Sequence, residues 1–418
     1  MRVRAIRSAN RAPLGDEPFD LPGSGSGSAM SRFDEHRLDD PDERAAIDSG
    51  DLLRALATAG AQVRSAAVAA ADAGIPRPGE GDRPRGVLIA AMGADELVAD
   101  TAATLCAEGS PVLVAHSRSG ALPGWVGPLD LVIAVSLSGA AVGPVGLAAE
   151  AGRRGATVVG VGAPLSPLAD VVARARGRFV PVGDLGAGSR ARSWSLLVPA
   201  LLTLEGHGIL PDVADRLDDV ANRLDDIAAA ARPSSEAFVN PAKLLAADLA
   251  GTIPLVLGDG PLTGVAARRA GTMLTRTART PALTGQLPDC AAALLACLDG
   301  PFAASSTAPD GGRDIFADPD ESAELALVLL RDVVDESPTD AAVRRHNLAQ
   351  SVQELATGRG TRVHEITPAA GSPLVRLAEL IARVDFAAAY LAIGMGLDPL
   401  RSPAVRALRD HSQSAPGT

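Results

Sequence analysis

The stretch Leu131-Val-Ile-Ala-Val-Ser-Leu-Ser-Gly139 constrains this chain more than any other. Its five leading apolar residues, mostly β-branched, fit a strand buried on both faces of a parallel sheet. Ser136, Ser138 and Gly139 then end the strand in a hydroxyl-bearing turn, and Ala140 to Gly152 continues with a helical pattern. Such a turn aims free backbone N–H groups and the positive end of a helix dipole at one spot, which suits an anion. The same serines also serve as ordinary helix caps, so the turn alone leaves both readings open.

Strand and helix patterns alternate around it. Val87-Leu-Ile-Ala-Ala-Met-Gly93, Pro111-Val-Leu-Val-Ala115, Ala156-Thr-Val-Val-Gly-Val161 and Arg178-Phe-Val-Pro-Val182 read as strands, with a helix from about Asp95 to Glu108. Asp40 to Ala71 and Trp194 to Ala231 read as helical, the latter with apolar residues at helical spacing between acidic faces. Pro233 to Asn240 breaks that pattern, and a second series follows. It comprises Ile253-Pro-Leu-Val-Leu-Gly258, a helix from about Leu262, Ala326-Leu-Val-Leu-Leu330, a helix over 340–357, Thr361–Ile366 and a helix over 372–395.

Both halves set a glycine-ended apolar strand before a helix, at Met92-Gly93 and at Gly258-Asp-Gly260. The expected class is therefore α/β: two Rossmann-like subdomains, each a parallel sheet flanked by helices, related by duplication. The division is a flexible tail over 1–38, a first domain with linker helices over 39–232, and a second domain over 233–418. Pro22-Gly-Ser-Gly-Ser-Gly-Ser28 carries the tail assignment, and Met30 is a second candidate start. Gly300 to Asp320 reads as a surface loop.

A net charge of −11 argues against nucleic acid or an anionic membrane surface as partner. Lys243 is the single lysine, so lysine-dependent chemistry has one candidate. Cys106, Cys290 and Cys297 lie in apolar surroundings without a CxxC pair, which fits reduced thiols and no metal site. No apolar run follows the N-terminal arginines, so no secretory signal is read. Leu131 to Ala149 is uncharged, but its Ser, Gly and Pro content fits a buried strand–helix unit better than a membrane span. The expected location is cytoplasmic.

Two strand–helix halves with a Ser-x-Ser-Gly turn in the first resemble the sugar isomerase (SIS) fold. Several stretches narrow the resemblance to the bifunctional phosphoglucose/phosphomannose isomerase family. They are Asn240-Pro-Ala-Lys243, Gly258-x-Gly260-x-Leu-Thr-Gly264, Ala278-Arg-Thr-Pro-Ala282, Leu377-Ala-Glu-Leu-Ile-x4-Phe386 and Gly396-Leu-Asp-Pro399. The resemblance implies a homodimer with sites at the subunit interface and an isomerisation that needs no metal or organic cofactor. That reaction moves a proton between C1 and C2 of a sugar 6-phosphate. It calls for a phosphate cradle, a carboxylate base, a ring-opening acid and a cation.

Carried over residue by residue, the cradle falls at Ser136, Ser138 and Gly139, where Ala140 and Ala141 replace a family Asn-Thr pair. A second phosphate loop falls at Gly93, where Asp95 replaces a donor serine and competes with any anion, whether as a plain helix cap or otherwise. The family's base falls at Arg276, which accepts no proton near neutral pH, and its ring-opening His at Ala292. Its C-terminal Thr and Lys fall at Ser402 and Arg409, and its first-domain Arg at Arg190. Arg269 remains as a further cation.

The substitutions leave the implied cleft without a group to shuttle hydrogen. The expected ligand is a sugar phosphate or a related anionic small molecule, bound with weak or no isomerisation. The alternative is a working aldose–ketose isomerase with a relocated base, for which His346, His364 and His411 are candidates in the second half.

Overall fold

The computed structural model describes residues 33–107, 109–183, 186–303, 323–334 and 339–414, with the side chains of Arg409, Asp410 and residues 412–414 outside that description. The described residues form one compact unit. Most of the expected 300–320 loop, like residues 1–32, lies outside the described residues.

The chain begins with four helices: α1 (His36–Asp39), α2 (Pro41–Ile47), α3 (Leu52–Ala57) and α4 (Ala59–Asp72). A first α/β series follows: β1 (Gly86–Ala91), α5 (Glu96–Cys106), β2 (Leu113–His116), β3 (Leu131–Ser136), α6 (Val142–Arg153), β4 (Thr157–Gly162), α7 (Pro167–Arg174) and β5 (Arg178–Pro181). Helices α8 (Ser193–Gly206), α9 (Leu217–Ala230) and α10 (Pro241–Leu249) lead to the second series. That series is β6 (Thr252–Gly258), α11 (Pro261–Met273), β7 (Leu283–Gln286), α12 (Ala291–Leu295), β8 (Glu324–Leu330), α13 (Asp340–Gly358), β9 (Arg362–Ile366) and α14 (Pro373–Gly394). Helix α15 (Pro403–Ser414) closes the description.

Both sheets are wholly parallel, in the orders β2-β1-β3-β4-β5 and β7-β6-β8-β9. Alternate residues of the central strands feed opposite layers, as the two-residue period of a strand requires. In the first sheet Leu88, Ala90, Val132 and Ala134 pack against α6 and α7, while Val87, Ile89, Ile133 and Val135 join α4, α5 and α8. In the second, Val256, Ala326 and Val328 meet α10, α11 and α14, and Leu255, Leu327 and Leu329 meet α12 and α13. Strand order reverses between β1 and β3 and between β6 and β8, so each sheet has one topological switch point at its C-terminal edge.

The expected fold class holds, and the expected strands form. Strand β7, Leu283-Thr-Gly-Gln286, escapes sequence reading because it is a short, half-polar edge strand. The expected tail is ordered from Phe33 onward. Asp34 N–H donates to the Gly394 carbonyl at 2.9 Å, and Leu38 is fully buried.

Lys243 explains part of that ordering. Its ammonium is buried and donates to the carbonyls of Leu38 (2.8 Å), Pro233 (3.0 Å) and Ser235 (2.8 Å) and to Asp39 Oδ1 (2.7 Å). It also sits 5.5 Å from the centre of the Tyr390 ring. Burial pulls its pKa down, against the pull of Asp39. The lone lysine thus clamps α1 and the 233–235 turn onto α10 and α14 and is closed to chemistry. Just before it, Asn240 caps α10 by accepting from the N–H groups of Ala242 (3.0 Å) and Lys243 (3.2 Å), with Pro241 at the first helical position.

Candidate functional site

The C-terminal ends of β1 and β3 face the far end of α11 across a cleft of about 890 Å³. Gly93 opens it, in a left-handed conformation (φ +64°) that starts a 3₁₀ turn ending at Asp95. Opposite stands the Ser136–Gly139 turn. Ser136 Oγ accepts from Ala141 N–H at 3.4 Å and Ser138 Oγ from Ala140 N–H at 3.3 Å, so both hydroxyls serve the start of α6 and still have protons to donate. Gly139 has φ +63°, and a Cβ there would stand 2.0 Å from Ser166 Oγ, so only glycine fits.

Asp95 does not cap its own helix. Its carboxylate reaches across the switch point and accepts from Leu137 N–H at 3.1 Å, a donor of the turn that would otherwise face an anion. Burial pushes the Asp95 pKa up, opposed by this hydrogen bond and by the charges of Arg276 and Arg269. The Asp95 carboxylate therefore stands in the cleft, as its place in the second phosphate loop implied, although the sequence reading gave it no part in moving hydrogen.

The other wall comes from α11 and the turn that continues it. Leu274–Ala278 forms a π turn, a device that locally widens a helix and turns side chains outward. Arg276 on this turn donates to Ser189 Oγ at 3.2 Å. Arg190 donates from one Nη to the Arg276 carbonyl (2.8 Å) and to Ser402 Oγ (3.2 Å). An adjoining cavity of about 910 Å³ shares Arg190, Thr275 and Arg276 and extends past Ser402 to Arg406.

Arg269 has a different part. Its guanidinium is buried in a bidentate pair with Asp385 (2.7–3.2 Å) and donates to the carbonyls of Ser189 (3.3 Å) and Arg190 (2.6 Å). It is a strut that holds the 189–190 loop against the cleft. Sequence reading missed Asp385 and Ser189. A lone carboxylate in the apolar run Val384-Asp-Phe386 was the available signal for the first, and the second carried none.

Of the residues read from sequence, Gly93, Ser136, Ser138, Arg190, Arg276 and Ser402 line the two joined cavities. Gly139 shapes the turn from behind, and the Arg409 side chain lies outside the description. None of the three histidines considered as relocated bases lines either cavity. His346 faces Arg331, His364 faces Asp248 at 3.5 Å, and His411 is on the exposed side of α15. Ala292 lies on α12, outside both linings.

Comparison with known proteins agrees with this architecture. A glucose-6-phosphate isomerase like protein from Thermus thermophilus is 20% identical, with a TM-score of 0.52 covering 87% of this chain and 96% of the other. A glucose-6-phosphate isomerase from Chlamydia trachomatis is 13% identical (TM-score 0.56; 88% and 74% covered). The C-terminal domain of glucosamine-fructose-6-phosphate aminotransferase from Francisella tularensis is 12% identical (TM-score 0.56; 83% and 97% covered). No curated protein matches the chain. Among the described residues no helix is long and apolar enough to cross a membrane. The bacterial phospho-glucose isomerase C-terminal SIS domain matches residues 238–411, and these residues therefore belong to that family.

Proposed function

We propose that this chain is a cytoplasmic, homodimeric SIS-domain protein. It binds a sugar phosphate or a related small anion in the cleft between the two sheets and isomerises it weakly or not at all. The observation that carries this reading is the pairing of Arg276, at the position of the family's base, with Arg190 and Ser402 around one cavity. Two guanidinium groups and a row of hydroxyls recognise an anion, since Arg offers planar donor pairs to phosphate or carboxylate. They do not remove a carbon-bound proton, and a positioned acid or base is worth about 10²–10⁴ in rate.

In this arrangement the Asp95 carboxylate fills part of the anion's place at Leu137 N–H. An incoming phosphate has to displace it or meet it protonated. A thermal-shift series of sugar phosphates, nucleotide sugars and free sugars tests the binding. Stabilisation by phosphorylated sugars that Arg276→Ser abolishes is the expected outcome, and stabilisation by none refutes it. Gel filtration with light scattering tests the dimer.

A second reading rests on Asp95 itself, a cleft carboxylate whose pKa burial raises, the direction in which a general base is tuned. There the chain is an aldose–ketose isomerase with a relocated base. Conversion of fructose 6-phosphate with solvent deuterium entering at C2, lost in Asp95→Asn, would favour it over the first reading.

A further inference from the structure

One oxygen of the Asp95 carboxylate is left unused in the cleft. Oδ2 accepts from Leu137 N–H at 3.1 Å, which sets the group against the middle of the Ser136-Leu-Ser138 turn. Among the described residues Oδ1 has no hydrogen-bond partner, and it is not closed off from solvent, so it opens on the cavity that Asp95 lines. An anion that takes up the donors of this turn meets Oδ1.

The donors gather around the same point. Ser136 Oγ and Ser138 Oγ accept from Ala141 and Ala140 N–H, keep their protons to give, and flank the residue that Asp95 holds. Arg276 and Arg190 are the cations of the lining, with an Arg190 Nη 2.8 Å from the Arg276 carbonyl. Other charges close by are matched: Arg269 pairs with Asp385 (2.7 Å), Arg268 with Asp100 (2.6 Å) and Glu96 with Arg118 (3.5 Å). Among the described residues Asp95 is the single acid that lines the cavity, and no histidine lines it.

Two ionised oxyanions in contact at Oδ1 repel, and neither donates to the other. A single proton between them reverses this, because one becomes the donor and the other the acceptor of a charge-assisted bond. Either partner can carry it. A phosphate ester has its second pKa at about 6, so near neutral pH the proton arrives as P–OH on the ligand or is taken from solvent at small cost. A sulfate ester stays fully ionised over the same range and finds a donor only when Asp95 itself is protonated. Burial raises the Asp95 pKa, and Leu137 N–H, Arg276 and Arg269 hold it down, so Asp95 takes its proton as the solution turns acid.

We propose, resting on the anion-binding reading of the cleft, that Asp95 is its specificity-determining residue. It admits phosphate esters, which share a proton with Oδ1, and turns away sulfate esters, which bring none.

Isothermal titration of the full chain with glucose 6-phosphate and glucose 6-sulfate tests it, since the two ligands differ only in the oxyanion. Near neutral pH the wild type is expected to bind the phosphate at least ~10-fold more tightly, the worth of one hydrogen bond to a charged group. Asp95→Asn keeps an oxygen for Leu137 N–H and offers an amide donor that needs no proton. It should raise the affinity for the sulfate at least ~10-fold, a gain that a misfolded variant cannot imitate. The two esters also differ in net charge, and that contribution survives in Asp95→Asn, so the part of the preference the variant removes belongs to Asp95. Acidification strengthens sulfate binding in the wild type and leaves it level in Asp95→Asn. Equal binding of both esters by the wild type, or no gain for the sulfate in Asp95→Asn, overturns the proposal and leaves the anion site standing. Binding of neither ester by either protein overturns the anion-binding reading itself, and the proposal with it.

Discussion

The pair Arg269–Asp385 is the most informative place to perturb this molecule, because it joins stability to the shape of the cleft. Both side chains are buried, with three N–O contacts of 2.7–3.2 Å between them. Asp385→Ala strands a guanidinium in the interior, and removing one partner of a buried pair costs about 3–5 kcal/mol. Replacing both, as Arg269→Met with Asp385→Leu, strands no charge and is expected to recover most of that loss. The double variant still lacks the donors to the Ser189 and Arg190 carbonyls, so the loop they hold should open more often. Urea unfolding reads the first effect as a lower midpoint at unchanged slope. Amide exchange over 188–191 reads the second, as faster exchange in both variants relative to wild type. A loss below about 1 kcal/mol in Asp385→Ala would refute the burial argument. Unaltered loop exchange in the double variant would refute the strut.

Lys243→Met leaves three carbonyls and Asp39 without their shared donor. Allowing for water reaching the half-exposed Asp39, stranded acceptors of this kind cost about 2–4 kcal/mol in total. Limited proteolysis should then cut first near residues 33–40, and an intact N-terminal segment would count against the clamp. For Asp95, burial makes the folded state hold its proton more tightly than the unfolded chain, whose ordinary value is 3.8. Stability should therefore fall as pH rises from that value through the raised one, and then level off. Asp95→Asn removes this slope while its side-chain oxygen can still accept from Leu137 N–H; parallel stability–pH curves for the two proteins would contradict it. Gly139→Ala, at φ +63° and against Ser166, should destabilise by more than about 1 kcal/mol, measured by the same unfolding.

The sheets were legible because their central strands are short apolar runs buried on both faces, a pattern that survives without knowledge of the partner strand. The clefts were legible only in outline. The position of Asp95 could be read as hostile to phosphate, but its hydrogen bond to Leu137 spans 42 residues of sequence and depends on β1 and β3 being neighbours. Lys243 looked like the one candidate for lysine chemistry, and four acceptors from two separate segments turn it into a fastener.

The duplication extends to the acids at the sheet edges. At the second switch point Asp259 does what Asp95 does at the first: its carboxylate accepts from Asp332 N–H (3.0–3.1 Å) across the gap between β6 and β8, and also from Thr263 Oγ1 (2.9 Å). Burial raises the pKa of both acids. Each sheet edge that its topology suits to an anion thus holds a carboxylate of its own. Their surroundings separate them. Near Asp259, Arg331 faces Glu365 and His346, and Arg376 holds Asp332 at 2.7 Å, whereas beside Asp95 the guanidinium of Arg276 and the hydroxyls of Ser138 and Ser189 border an open cleft. A ligand that displaces an internal carboxylate needs cations and space on the far side of it, and of these two edges the first has both.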